Sequence, residues 1–200
     1  LTDERWDMKF IGMQIVIEGL ALSAFATARE TTPDPVLKDV VYLVTRDEAR
    51  HVTFGVNYLE QFIKTLSDEE REERAQFAYE ACAISRERLV ATDVFRYFGW
   101  DVEEARKKVL DGFVMSTFRN LLFQRVIPNL GRIGLLTDKV RPKFESVCIL
   151  DYENLATDGD IDWSVLERPL DTEEAQSYEQ SMLAAFAKQH EEDTRTSSAA

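Results

Sequence analysis

The chain has 200 residues, with 37 acidic against 24 basic side chains and a formal net charge of −13. Apolar residues make up 44% and aromatic residues 10%, so the chain can bury a hydrophobic core and is not disordered by composition. Eight glycines and five prolines are few for this length, which disfavours a turn-rich all-β fold. The acidity argues against a general nucleic-acid-binding surface, because such surfaces are basic.

The sequence predicts a cytoplasmic protein without a membrane span. Its apolar runs are interrupted by Glu, Gln, Ser or Arg before they reach the roughly 18 residues that a span requires. No basic region followed by an apolar region marks a signal peptide. Cys82 and Cys148 stand far apart and without a CxxC partner, which favours two reduced thiols.

Two long helices are predicted at the start of the chain. Residues 4–30 carry apolar side chains at spacings of three and four, which is the period of a helix. The segment 31–35 contains two prolines and must end that helix. Asp34 can cap the next helix, with Pro35 at its first position, and that helix is expected over 35–65.

Three further helices are predicted before residue 150. A capping box at 67–70 opens a third helix to about residue 98, and the same device at 101–104 opens a fourth toward residue 128, bent near Gly112. A short helix is expected at 138–148. Four aromatic residues near the end of the third helix are expected to pack in the core: Phe95, Tyr97, Phe98 and Trp100.

The sequence changes character after residue 150. Residues 151–200 hold 13 acids and 3 bases, whereas residues 1–150 are close to neutral. We therefore predict an all-α domain over 1–150, and an acidic strap and tail over 151–200 that includes a last helix from about 172 to 190. The fold class expected for the domain is a helical bundle.

A run of basic residues interrupts the near-neutral domain between residues 112 and 144. One interpretation is a solvated basic face that pairs loosely with the acidic tail. The other is a docking patch for an anionic substrate or an acidic carrier protein. The six bases are Arg119, Arg125, Arg132, Lys139, Arg141 and Lys143.

The residues that indicate chemistry lie in the first two helices. Glu48 and His51 are three positions apart, so both project from one face of a helix and can offer a carboxylate oxygen and an imidazole nitrogen to one metal ion. Glu18 lies 15 residues before Pro33, and Glu48 lies 15 residues after it. If residues 4–65 form a hairpin bent at Pro33, both carboxylates lie roughly 22 Å from the turn. Both are set among apolar residues, and a buried carboxylate is costly unless it is paired or bound to metal.

At these positions the sequence resembles the ferritin-like superfamily of carboxylate-bridged di-iron proteins. In that superfamily each of two helices contributes a Glu, and each of two others contributes a Glu-x-x-His pair. The segment from Asp47 to His51 looks like the family's last ligand helix, and the segment from Ile17 to Leu20 looks like its third. The resemblance implies a ferritin-like bundle with Glu18, Glu48 and His51 as iron ligands.

The same resemblance assigns roles to two neighbours of the ligands. Asp47 is implied to hydrogen-bond a histidine on another helix and so to fix the orientation of its ring. Arg50 is implied to pair with neighbouring acids. Beyond residues 10–60 the sequence shows no diagnostic motif of the family.

The ligand set in this sequence is incomplete. The chain offers one Glu and one Glu-x-x-His pair, half of the family's set, because the other histidine, His190, has Ala187 at the position where a Glu is needed. Three explanations stay open: the missing helices lie upstream of Leu1, two copies of the chain complete one site as a homodimer, or no metal binds.

The resemblance implies an oxidoreductase that uses two iron ions, or an Mn/Fe pair, to activate O₂ and to oxidise or hydroxylate a lipophilic or aromatic substrate. Such an enzyme needs an electron donor. Two alternatives belong to other classes: a ferroxidase or iron-storage protein, and a metal-free helical interaction module. No nucleic-acid partner is expected.

Overall fold

The structure, a computed structural model, describes residues 3–147 and 149–162, with the backbone alone at positions 113, 114, 116 and 117. Every regular element in these residues is helical, which confirms the predicted all-α class. Two single 3₁₀ turns follow the last helix, at Leu150–Tyr152 and Asp158–Asp160. The helices are α1 (Trp6–Thr31), α2 (Pro35–Ile63), α3 (Asp68–Arg88), α4 (Thr92–Tyr97), α5 (Val102–Asp111), α6 (Phe113–Leu121), α7 (Val126–Arg132) and α8 (Arg141–Ser146).

The chain divides into two compact units, Leu1–Asp160 and Ile161–Ala200. Of the second unit only residues 161 and 162 are described. The helix predicted over 172–190, together with His190, therefore lies outside the described residues. The division of function between a domain at 1–150 and an acidic segment at 151–200 stays a prediction.

Helix α1 changes its winding along its length. The segment Ile11–Ile17 is π-helical, between α-helical segments at Trp6–Phe10 and Glu18–Thr31. Apolar spacing alone does not reveal such a segment, and π-helical turns often lie at functional sites. By length and composition α1 could cross a membrane, although the core helix of a globular protein passes the same test.

Helices α1 and α2 form the hairpin that the sequence predicts. The chain leaves α1 through an extended Thr32, and the Asp34 side chain accepts hydrogen bonds from the backbone N–H groups of Val36 and Leu37 at the start of α2. Edge-to-face ring contacts join the two helices at the opposite end, where the Trp6 ring lies 4.6 Å from the Phe62 ring between centroids. The hairpin is therefore fixed at both ends.

The third and fourth predicted helices are shorter than expected. The capping box of Ser67 and Glu70 is confirmed, but α3 ends at Arg88, and the prediction of a helix to residue 98 is wrong. The chain turns there through Ala91, which adopts a left-handed conformation at φ 53° without a glycine to signal the turn. The predicted fourth helix divides at Gly112 and again after Leu121 into α5, α6 and α7.

The core lies between one side of the hairpin and the later helices. Asp7 of α1 and Arg74 of α3 form an ion pair at 2.8 Å with side chains only 4% and 7% exposed, so α1 is anchored on α3 by charge as well as by apolar contact. The largest fully buried apolar side chains come from both parts of the unit: Ile11, Ile15, Leu22, Leu59, Phe123, Ile127, Leu130, Leu135, Phe144 and Ile149.

The predicted aromatic core near residue 98 is wrong for three of its four members. Phe95 is buried, but Tyr97, Phe98 and Trp100 are exposed. The reason is local, because α4 has only six residues and turns one side toward the core.

Arginines of the basic stretch hold the first part of the acidic segment. Asp158 is buried and accepts hydrogen bonds from Arg125 and from Asn129, each at 2.7 Å. Arg132 pairs with Asp160 at 2.5 Å, and Arg141 binds both carboxylate oxygens of Glu153. These contacts favour the interpretation of the basic stretch as a partner of the acidic segment over that of an external docking patch.

Candidate metal centre

Glu18, Glu48 and His51 meet on the hairpin, and we call them the Glu-Glu-His cluster. Each offers one ligand atom, and these atoms all lie within 4.8 Å of one another. Glu18 is the first residue of α1 after its π-helical segment, and the other two side chains share one face of α2. The register predicted from their equal distances to Pro33 therefore brings the side chains together.

The cluster is half-open to solvent. The Nδ1 atom of His51 lies 3.4 Å from the Oε2 atom of Glu48, and their side chains are 59% and 28% exposed. The Oε2 atom of Glu18 is buried and has no hydrogen-bond partner in the described part of the chain. A buried carboxylate oxygen of this kind is a vacant acceptor for a proton donor or a cation.

The electrostatics of the cluster disfavour a charged Glu18. Burial raises the pKa of the Glu18 carboxyl above its ordinary value, and the carboxylate of Glu48 raises this pKa further. The effect of His51 is opposite and smaller. A divalent cation between the carboxylates would reverse this balance, because it favours the charged form of both.

Asp47 and Arg50 lie beside the cluster on α2. The Asp47 carboxylate accepts a hydrogen bond from the Arg50 guanidinium at 2.8 Å, and 68% of its side chain is exposed. Arg50 thus pairs with a neighbouring acid, as the resemblance implies. The role predicted for Asp47, orienting a histidine of another helix, stays a prediction.

Two residues that sequence reasoning did not single out set the spacing of the hairpin. Gln14 lies in the π-helical segment, and its Oε1 atom is buried without a hydrogen-bond partner among the described residues. A Cβ atom on Gly55 of α2 would lie 2.6 Å from the Cβ atom of Gln14. The absence of a side chain at Gly55 therefore lets the two helices approach one turn beyond His51. A glycine inside an otherwise strong helical pattern is the signal that could have identified this contact.

The cluster lies within an exposed apolar surface of the hairpin, which we call the open face. The carboxylates were expected to be buried among apolar residues, but several of those neighbours are exposed in this structure. The reason is that only one side of the hairpin packs against α3 and α7. The large apolar side chains of the open face are Trp6, Ile17, Val36, Leu37, Val40, Leu43, Phe54 and Tyr58.

The donor set suits a divalent metal ion of intermediate hardness. Two carboxylates and one imidazole are typical ligands of Fe(II), Mn(II) and Zn(II) in proteins. The vacant Oε2 atom of Glu18 and its proximity to Glu48 fit such an ion, since a cation would satisfy the first and neutralise the repulsion of the second. Three protein ligands leave coordination positions for other groups.

Comparisons with known proteins assign the chain to no family. No family model, no curated protein and no solved structure matches it. The candidate centre is therefore supported by the geometry of its own side chains, and the likeness to the ferritin-like superfamily stays a resemblance of two motifs.

Proposed function

We propose that the protein is part of a non-haem di-iron, or Mn/Fe, oxidoreductase of the ferritin-like type, which uses O₂ to oxidise or hydroxylate a lipophilic or aromatic substrate. The observation that carries this proposal is the Glu-Glu-His cluster, whose ligand atoms lie within 4.8 Å of one another on two neighbouring helices. A carboxylate-rich site with one imidazole is the donor set expected for iron or manganese.

The open face supports the same proposal. A large exposed apolar surface marks an interaction site, and here it surrounds half of the ligand set of a ferritin-like centre. The other half would come from helices that cover this face, either upstream residues of a longer polypeptide or a second copy of the chain. Covering the face would also exclude water from the cluster.

In this proposal the residues of the chain have distinct tasks. Glu18 and Glu48 would hold the metal ions and compensate their charge, and His51 would add a neutral nitrogen ligand. The metal ions, when bound, supply the redox chemistry with O₂. The protein contributes the geometry of the hairpin, which keeps the three ligand atoms in place before a metal arrives.

Metal analysis tests the proposal directly. Protein purified from cells grown with added iron and manganese should contain about one such ion per chain. Glu48→Ala and His51→Ala should each remove most of it, and His190→Ala is the control for histidine number and should retain it. Less than ~0.1 ion per chain in the unaltered protein, with unchanged folding of Glu48→Ala, would contradict a metal function.

Oxygen consumption distinguishes an organic-substrate oxidase from a ferroxidase. In the oxidase, O₂ uptake by the iron-loaded protein should require a reductant and continue over many turnovers at constant iron content. In a ferroxidase, uptake should instead be proportional to added Fe(II) and should need no reductant. The second result would transfer the cluster to iron handling and overturn the proposed oxidation of an organic substrate.

A further inference from the structure

Gln14 presents an unused hydrogen-bonding group beside the Glu-Glu-His cluster. Its Oε1 atom is buried and has no hydrogen-bond partner among the described residues. An unpartnered buried amide oxygen destabilises the fold relative to an apolar side chain of similar size. A role in core packing therefore does not explain why a glutamine occupies this position.

The hairpin register places Gln14 next to the cluster. Gln14 precedes Glu18 by four residues, and Gly55, against which it packs, follows His51 by four. Since α1 and α2 are antiparallel, the Gln14–Gly55 contact lies one turn, about 6 Å, along the hairpin from the cluster. In a π-helical segment, which has more residues per turn than an α-helix, positions four apart share nearly the same face.

The surroundings of Gln14 are otherwise apolar. The Cδ1 atom of Ile15 reaches the same point of α2, at 3.9 Å from the position of a Cβ atom on Gly55. Ile17 and Phe54 of the open face are exposed on the same two helices. A molecule in this place would meet apolar surface, the ligands of the cluster and the single amide of Gln14.

We propose that Gln14 binds the substrate, by accepting a hydrogen bond at Oε1 from an O–H or N–H group of a molecule that lies against the Glu-Glu-His cluster. This inference rests on the proposed function and narrows it. The substrate would be an apolar molecule with a hydroxyl or amine group near the position that is oxidised. Gln14 is thus a positioning residue and takes no part in the chemistry itself.

The first test uses the metal-free protein. Gln14→Leu and Gln14→Met remove the unpartnered oxygen and keep the volume, so both variants should unfold at the same temperature as the unaltered protein or at a higher one. Gln76→Leu is the control, because Gln76 is an exposed glutamine that is hydrogen-bonded to Glu80. A clear fall in melting temperature in both Gln14 variants would show that the amide stabilises the fold, and would overturn the inference.

The second test uses Co(II)-loaded protein and two probes that differ in one hydrogen-bond donor, phenol and anisole. Phenol should perturb the cobalt spectrum at a concentration about five-fold lower than anisole, since a hydrogen bond contributes about this factor. Gln14→Leu should abolish the difference and leave the amount of bound cobalt unchanged. An equal response to the two probes, or a phenol preference that persists in Gln14→Leu, would overturn the inference. Failure of the unaltered protein to bind cobalt would instead contradict the proposed function.

Discussion

At Glu18 a carboxyl oxygen without a hydrogen-bond partner lies close to a second carboxylate. Burial and the charge of Glu48 both raise the pKa of Glu18, so ionising it destabilises the folded state relative to the unfolded chain. Below the ordinary pKa of 4.5 Glu18 is neutral in both states and the fold carries no such cost. The cost enters as the pH rises from 4.5 through the raised pKa of the folded protein.

Glu18→Gln should therefore stabilise the metal-free protein at neutral pH. We expect a melting temperature higher by on the order of 2 °C at pH 7 and no difference near pH 4. Calorimetry at the two pH values measures this, with the exposed Glu80→Gln as the control. The same variant should bind metal more weakly, because a neutral amide is a poor ligand for a divalent cation. A lower melting temperature at pH 7 would show that the charged form of Glu18 stabilises the fold.

Arg74 shows the opposite situation, a buried charge with a partner. Its guanidinium pairs with the buried Asp7 at 2.8 Å and with Glu73 at 2.7 Å. Arg74→Ala leaves Asp7 buried without this partner and should lower the free energy of unfolding by about 3 kcal/mol. Urea denaturation measures the change. Arg71→Ala is the matched control, because Arg71 pairs with a fully exposed Asp68, and should cost about 0.5 kcal/mol or less.

At the scale of elements, the hairpin of α1 and α2 sets the geometry of the candidate centre. Its turn, its caps and its equal arms follow from the two prolines, Asp34 and the apolar spacing, and the sequence predicts all of them. The π-helical segment and the close contact at Gly55 were not predicted, because both depend on how α1 meets α2. They determine the position of Gln14 relative to the cluster.

Gly55→Ala should separate the two helices next to the cluster. Its Cβ atom would lie 2.6 Å from the Cβ atom of Gln14, which is fixed to the backbone and cannot rotate away. We expect a loss of about 2 kcal/mol in stability and a lower affinity for Co(II). Gly131→Ala, in helix α7, is the control, since its Cβ atom would meet Leu136 at an ordinary 3.4 Å and should not destabilise. Equal effects of the two substitutions would show that the contact at Gly55 does not matter.

At the scale of the whole molecule, the segment 150–160 connects the hairpin to α7. The hydroxyl of Thr53 on α2 donates to the backbone oxygen of Asp158, and the Asp158 carboxylate accepts from Arg125 and Asn129. Thr53 is buried on the same helix that carries Glu48 and His51. The side of α2 away from the open face is therefore held by this network.

Asp158→Ala should release the segment. It removes the acceptor of Arg125 and Asn129, both of which are largely or fully buried, and should cost about 3 kcal/mol. Chemical denaturation should show the loss, and limited proteolysis should cut near residue 155 faster. Asp160→Ala should have a smaller effect, because the Asp160 side chain is 70% exposed. Equal sensitivity of the two variants would contradict the role of the buried network.

The sequence by itself determined the helical class, the hairpin and the three side chains of the cluster. These features depend on local chemistry: the period of apolar residues, the caps, the prolines, and positions at equal distance from a turn. The third helix was predicted too long for the same reason, because no glycine or proline marks the left-handed turn at Ala91. Composition and spacing carry no signal for a strained residue that tertiary contacts maintain.

Only the tertiary structure decided which surfaces are buried. It exposes Ile17, Val40 and Leu43, which the sequence had placed around buried carboxylates, and it commits Arg125 to the acidic segment. Apolar periodicity shows that a helix has an apolar face but not whether another element covers it. Burial and pairing depend on contacts between residues far apart in sequence, so the position of the cluster on an open face could be learned only from the folded chain.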